Sequence, residues 1–534
     1  MAVVTWDGSS STAWTTGANW DTGSVPTSSD DVLIPNVSND PVIADGTNPE
    51  VKTIELAASA TLTCGNNTIT VNDETSQYAF KGIGTLIPQT STIVVTTDAD
   101  TLIKCENGSF NNLTINPDGG DNTVTLYSDI TVGGNLTITG GTLDTNSSSN
   151  YDLTVTKDVL IGTGSGTGDS AVLIGNASEI IINGGMKIDV TGKYDATTHA
   201  NGTVINKHLD SSVHGGIYAL WLIAGGTFIH NDGLVHVTGT GGYSLVIEGL
   251  SGSDVSGTNA NALHDLKVTL NSISNFVKLD PVPSSNGDTM VITGDLDIVE
   301  GKVHGNSTSD NLTVNGNVIV RDGAQLSEST QVSGAMTFGS LTIESGGTYI
   351  ATSGTTTIDG GGSCLDFTAG TLTHNNGLFK ISGGNGTNIK TTGATTNDNL
   401  YDLEIDSSES SAASTAWLGD GTVIEGNLTL TEGKFYPNTS SQDFIVKGNT
   451  SIKADATFGN MGGTQATGDY TFEGVVTNSG GIFLSTGANN FNGGIRQLAS
   501  VGTSNGTFNG DAETITIGGT GGILEGNLDD AIVN

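Results

Sequence analysis

Cysteine, proline and positive charge are all scarce in this chain of 534 residues, and each scarcity excludes something. Cys64, Cys105 and Cys364 are odd in number and far apart, with no C-x-x-C pair. A disulfide framework or thiolate metal site is therefore not expected, and burial as small apolar residues is. With only 17 Lys and Arg against 56 Asp and Glu, the net charge is −39. Such a surface repels polyanions, so nucleic acid is not expected as a partner. The same charge keeps a large particle soluble, and divalent cations help to neutralise it. No apolar run reaches transmembrane length, so membrane insertion is not expected. The stretch from Met1 to Trp6 carries neither the basic nor the apolar region of an export signal.

Helical periodicity is missing as well, and what fills the chain is strand and turn chemistry. Glycine reaches 77 residues, only 35% of the chain is hydrophobic, and much of the remainder is Thr, Ser, Asn and Asp. Apolar residues recur at period two or in short blocks, as in Asn135-Leu136-Thr137-Ile138-Thr139 and Ser178-Glu179-Ile180-Ile181-Ile182. This reads as half-buried and buried strands, and it argues against disorder.

The sequence also matches itself at long spacing. Gly226-Thr227-Phe228-Ile229-His230-Asn231-Asp232-Gly233-Leu234 aligns with Gly370-Thr371-Leu372-Thr373-His374-Asn375-Asn376-Gly377-Leu378, and a shorter copy opens at Gly84-Thr85-Leu86. A second element, Gly-[Asn/Asp]-Leu-x-[Ile/Leu], begins at Gly134, Gly294 and Gly426, each time followed by another short strand. Units of roughly 140 residues are thus themselves made of smaller strand-turn-strand pieces.

A piece that thin cannot bury a core alone, so stacking is required. The expected fold is an all-β, elongated parallel β-helix (β-solenoid) with internal repeats. Coils of about 20 to 25 residues would give a rod on the order of 100 Å long. The alternative is a string of β-sandwich domains, for which Pro281 to Pro283 is the one candidate hinge. The expected organisation is a Trp-rich cap and first coils in 1–83, repeat units in 84–225, 226–369 and 370–505, and a partial repeat in 506–534. Gly526-Asn527-Leu528 opens like another copy and stops, which suggests that the native chain continues beyond Asn534 or that a neighbouring subunit covers this end.

Residues 1–35 differ from the rest. Trp6, Trp14 and Trp20 are followed by Val25-Pro26-Thr27 and by Asp30-Asp31-Val32-Leu33-Ile34-Pro35. This resembles the W-x-G…W…G-N-W…V-P…D-D-V-x-I-P opening of large bacterial surface proteins and phage proteins that continue as parallel β-helical repeats. The resemblance covers about the first 75 residues in motif. It implies architecture more than activity: the tryptophans are expected to form a hydrophobic cap, with sugar stacking as their alternative role.

Catalytic motifs do not stand out. With 56 acids, sequence proximity of two carboxylates identifies no pair for sugar hydrolysis. His230 and His374 occupy equivalent repeat positions before Asn-[Asp/Asn]-Gly, which suggests a structural role in the turn. The eight histidines show no H-E-x-x-H or H-x-x-x-H zinc spacing. Calcium is the cofactor that the composition admits, with Asp118 and Asp121 in Pro117-Asp118-Gly119-Gly120-Asp121-Asn122 as ligand candidates.

Taken together, these features lean towards a non-enzymatic virion structural protein: a phage tail fibre, spike or surface decoration that contacts the host. Expected partners are copies of the same chain as a homotrimer or other homo-oligomer, other virion proteins, and a host cell-surface glycan or protein. The expected location is the virion surface. The alternatives are a bacterial or archaeal adhesin or surface-layer component at the cell surface, and a polysaccharide-degrading tailspike.

Overall fold

The computed structural model describes residues 3–73, 77–117, 122–163, 170–248, 261–281, 288–327, 332–362, 364–383, 387–390, 399–407, 415–418, 422–437, 443–459, 467–497, 507–509 and 515–517. Nearly all the regular structure described is parallel β, about 2% of the residues are helical, and the coils form about 18 turns of a β-solenoid. Two compact units are distinguished, Met1–Lys267 with Val277–Pro283, and Val268–Phe276 with Ser284–Asn534. Of the three sequence copies, those opening at Gly84 and Gly226 fall in the first unit and that at Gly370 in the second. The terminal Gly526-Asn527-Leu528 lies outside the described residues.

In the first unit the coils from Thr123 to Ile229 each contribute three short strands. Ile130–Val132, Leu136–Ile138 and Gly141–Asp144 form one coil, and Leu153–Val155, Val159–Ile161 and Ala171–Ile174 the next. Every strand pairs in parallel with its counterpart one coil on. Period-two alternation then sends each second side chain inward. The register stacks Leu113, Leu136, Val159, Met186 and Leu220 into one interior row, every member at most 1% exposed. Burying each such side chain is worth about 1.5–3 kcal/mol. Equivalent positions are mostly 23 to 27 residues apart, as from Leu136 to Val159 and from Val159 to Met186.

The corners explain the recurring Gly-[Asn/Asp]-Leu element. Asn112 Oδ1 accepts the backbone N–H of Asn135 at 2.9 Å, and Asn135 Oδ1 accepts that of Asp158 at 3.2 Å. Asp158 Oδ1 in turn accepts the N–H of Gly185 at 3.1 Å. A second corner repeats the device, with Asp129 accepting from Asp152 at 3.0 Å and Asp152 from Glu179 at 2.8 Å. The chain leaves the strand ladder at each corner, and these side chains satisfy amides that would otherwise lack a partner. A Cβ on Gly134 would stand 2.2 Å from Asn112 Oδ1, so glycine precedes the ladder residue there.

The second unit follows the same rules. Asp402 accepts the Asn427 N–H at 2.6 Å, Asn427 that of Asn449 at 2.9 Å, and Asn449 that of Val475 at 3.0 Å. Its later coils are filled by aromatic rings. Phe435, Phe444, Phe458, Tyr470, Phe472 and Phe491 are each at most 1% exposed, and Phe472 stacks on Phe491 with centroids 5.2 Å apart.

Two aligned antiparallel sheets, which a sandwich requires, do not occur among the described residues, whose strands pair in parallel. The β-sandwich alternative is thereby excluded. Cys64, Cys105 and Cys364 are buried, and burial pushes the Cys64 and Cys105 thiols up to about 12. All three sit in the interior as small apolar side chains.

Candidate functional site

Trp6, Trp14 and Trp20 are 0%, 1% and 2% exposed. Trp20 lies edge-on to both others, with centroids 4.9 Å from Trp6 and 4.8 Å from Trp14. Trp6 Nε1 donates to the Asn39 carbonyl at 2.7 Å and Trp20 Nε1 to the Trp14 carbonyl at 2.9 Å. A stacking platform for sugars needs exposed ring faces. None of the three offers one, so these residues hold the first coil together and are withdrawn as sugar-binding candidates. Asp118 and Asp121 lie outside the described residues.

The most distinctive polar construction is the turn that the sequence repeats. In the first unit His230-Asn231-Asp232-Gly233 places Asn231 at φ 49° and Asp232 at φ 55°, and in the second His374-Asn375-Asn376-Gly377 places Asn375 at 45° and Asn376 at 58°. Two successive left-handed residues define a type I′ turn, and Asn and Asp tolerate that region. Gly233 N–H donates to the His230 carbonyl at 2.7 Å, and Gly377 N–H to that of His374 at 2.9 Å. At both glycines an added Cβ would stand 2.2 Å from a carbonyl of the coil below, that of Thr197 or Thr352.

The histidine ring completes the turn. His230 Nδ1 accepts the Asp232 N–H at 2.9 Å, and His374 Nδ1 accepts the Asn376 N–H at 3.0 Å. The first asparagine reaches down one coil, Asn231 Nδ2 to the Ala196 carbonyl at 3.0 Å and Asn375 Nδ2 to that of Ala351 at 2.9 Å. Both imidazoles thus have the structural role that their repeat position suggests. Burial holds both below the usual histidine value; a second imidazole, that of His264, lowers His230 further.

Each ring is covered by an aromatic residue from the following coil, and here the copies diverge. His264 stacks on His230 with centroids 5.2 Å apart and planes 17° off parallel. Tyr401 stacks on His374 at 5.4 Å and 27°. Asp232 Oδ1 then lies 3.5 Å from His230 Nδ1 and 3.7 Å from His264 Nδ1. Sequence reasoning missed His264, because it sits a whole coil away from the turn. Its only sequence signal is that it precedes Asp265-Leu266, as Tyr401 precedes Asp402-Leu403.

Around His374 and Tyr401 opens a cleft of roughly 800 Å³, edged by Asn376, Asn399 and Glu425. Glu425 is engaged at both oxygens, by Asn399 Nδ2 at 2.6 Å and Lys447 Nζ at 2.6 Å. It is one held carboxylate facing amides and an aromatic stack. Glycoside hydrolysis uses two carboxylates across a bond, one of them able to give up a proton. Among the described residues this cleft presents hydrogen-bonding groups without that pair.

A family described as a domain of unknown function (DUF8693) matches residues 5–96. That span holds the tryptophan cluster and the first coils and stops before both turns. No curated protein and no solved structure matches the chain.

Proposed function

We propose that the chain is a non-enzymatic structural element of a phage virion, a tail fibre, spike or surface decoration that presents its coils to the host surface. The observation that carries this reading is the fate of the corner carboxylates. Asp129, Asp152, Asp158, Asp402 and Asp469 each accept a backbone N–H from a later coil. These five acids lock one coil to the next. What a solenoid built this way supplies is a stable surface with a solvated, acidic exterior.

The partners proposed with it are further copies of the same chain, other virion proteins and a host-surface glycan or protein. Nucleic acid is disfavoured by the charge of −39. The test is mass spectrometry of purified particles together with sedimentation of the recombinant chain. The protein is expected among the particle components and to sediment as an oligomer. Its absence from particles, with recovery in a cell-surface fraction, would favour the adhesin reading. New reducing ends on incubation with host polysaccharide would favour a degrading enzyme.

A further inference from the structure

We propose that His230, Asp232 and His264 form a binding site for a divalent cation of the zinc class on the first unit. The three residues offer two imidazole nitrogens and one carboxylate oxygen, all within 4.8 Å of one another. Around a tetrahedral zinc ion, with bonds of about 2.0–2.2 Å, neighbouring donor atoms stand roughly 3.3–3.5 Å apart. The two carboxylate-to-imidazole separations, 3.5 Å and 3.7 Å, already approach that spacing. Closing the set requires the His264 ring to tilt out of its stack on His230, because the in-plane lone pairs of two near-parallel imidazoles run side by side and do not meet at one ion. Asp232 is an exposed side chain and His264 is only partly covered, so both have room to adjust.

The second copy of the turn separates this chemistry from the needs of the fold. There the positions of Asp232 and His264 are held by Asn376 and Tyr401, with the same left-handed turn, the same Nδ1 hydrogen bond and the same ring stack. The turn therefore needs a residue that tolerates positive φ and an aromatic cover. It does not need a carboxylate or a second imidazole. In the first unit both replaceable positions carry metal-binding groups, and they converge on the one histidine that the turn requires.

The surroundings fit a metal. Asp265 Oδ1 stands 3.8 Å from His264 Nε2, on the opposite side of the ring from Asp232. That is longer than a hydrogen bond, and a turn of the His264 ring on binding would bring the carboxylate within reach to orient the imidazole, as outer carboxylates do in histidine metal sites. Two imidazoles favour zinc, copper or nickel over calcium, which takes six to eight oxygens. Entry of the ion exchanges the Asp232 N–H bond on His230 Nδ1 for a coordinate bond. Three protein donors leave a fourth position for water.

The test uses the full chain without a histidine tag, stripped with a chelator and titrated with Zn²⁺ by calorimetry, with Co²⁺ as a spectroscopic probe. One zinc per chain at micromolar or tighter affinity is expected, with a tetrahedral Co²⁺ absorption band and binding of Ca²⁺ at least a hundredfold weaker. Asp232→Asn and His264→Tyr copy the second turn. Each is expected to weaken zinc binding at least tenfold and to leave the circular dichroism and metal-free melting temperature of the parent unchanged. Zinc affinity equal to the parent's in both folded variants would overturn the proposal, as would a parent that binds zinc no tighter than millimolar. If either variant fails to fold, His264→Phe, which keeps an aromatic cover, replaces it with the same expected loss.

Discussion

The hydroxyl of Tyr194 meets that of Thr203 at 2.6 Å inside the first unit, and both residues are at most 1% exposed. They sit on different faces of one coil, so the bond ties two sheets across the core. The second unit repeats it between Tyr349 and Thr356 at 2.9 Å. Burial drives the Tyr194 phenol up to about 12, so it stays protonated and able to donate.

Removing one partner strands the other. Tyr194→Phe is expected to destabilise the first unit by about 1–3 kcal/mol, because the Thr203 hydroxyl is left buried without that partner. Adding Thr203→Val should recover much of the loss. Chemical denaturation of both variants checks this, and a double variant no better than the single one would refute the pairing.

The interior row sets the scale of core effects. Leu136→Ala, with Leu113 and Val159 stacked on either side, is expected to cost about 2–5 kcal/mol. Thr137→Ala, one residue along and facing outward, should stay within about 0.5 kcal/mol. Equal losses at the two positions would mean that the register is wrong by one residue.

The corner ladder predicts a chemical preference. Asn112→Asp keeps an acceptor for the Asn135 N–H and should be nearly neutral, whereas Asn112→Ala should cost about 1 kcal/mol. A comparison of melting temperatures distinguishes the two, and indistinguishable variants would rule the ladder out as a source of stability.

Acid should weaken the second unit through His374. Burial lowers its pKa in the fold, opposed by the nearby Glu425 carboxylate. The unfolded chain therefore takes up the proton first as pH falls below about 6.5, and stability drops through the window between that value and the lower folded one. Melting measured between pH 7.5 and pH 5 should show a shallower decline for His374→Gln than for the parent. Parallel pH profiles would remove His374 from the account.

Much of the architecture is legible in the sequence. Alternation in stretches such as Leu136-Thr137-Ile138 fixes which side chains turn inward, and Gly-Asn-Leu marks the corners, because few residue types fit a tight bend whose side chain must accept an amide. The paired His-Asn-[Asp/Asn]-Gly turns also follow from the residues, since only such residues tolerate two successive positive φ angles. Three things required the tertiary structure. Tryptophan is equally suited to a sugar platform and to a buried cluster, and only packing showed Trp6, Trp14 and Trp20 closed against one another. A Gly-Asn-Leu corner looks like an occasional motif until register places successive corners directly above one another. His264 meets His230, 34 positions earlier, because the chain returns over the turn one coil on. Local chemistry is written in neighbouring residues, whereas in a solenoid the contacts that build a site come from residues one coil apart, at a spacing that loop length alone decides.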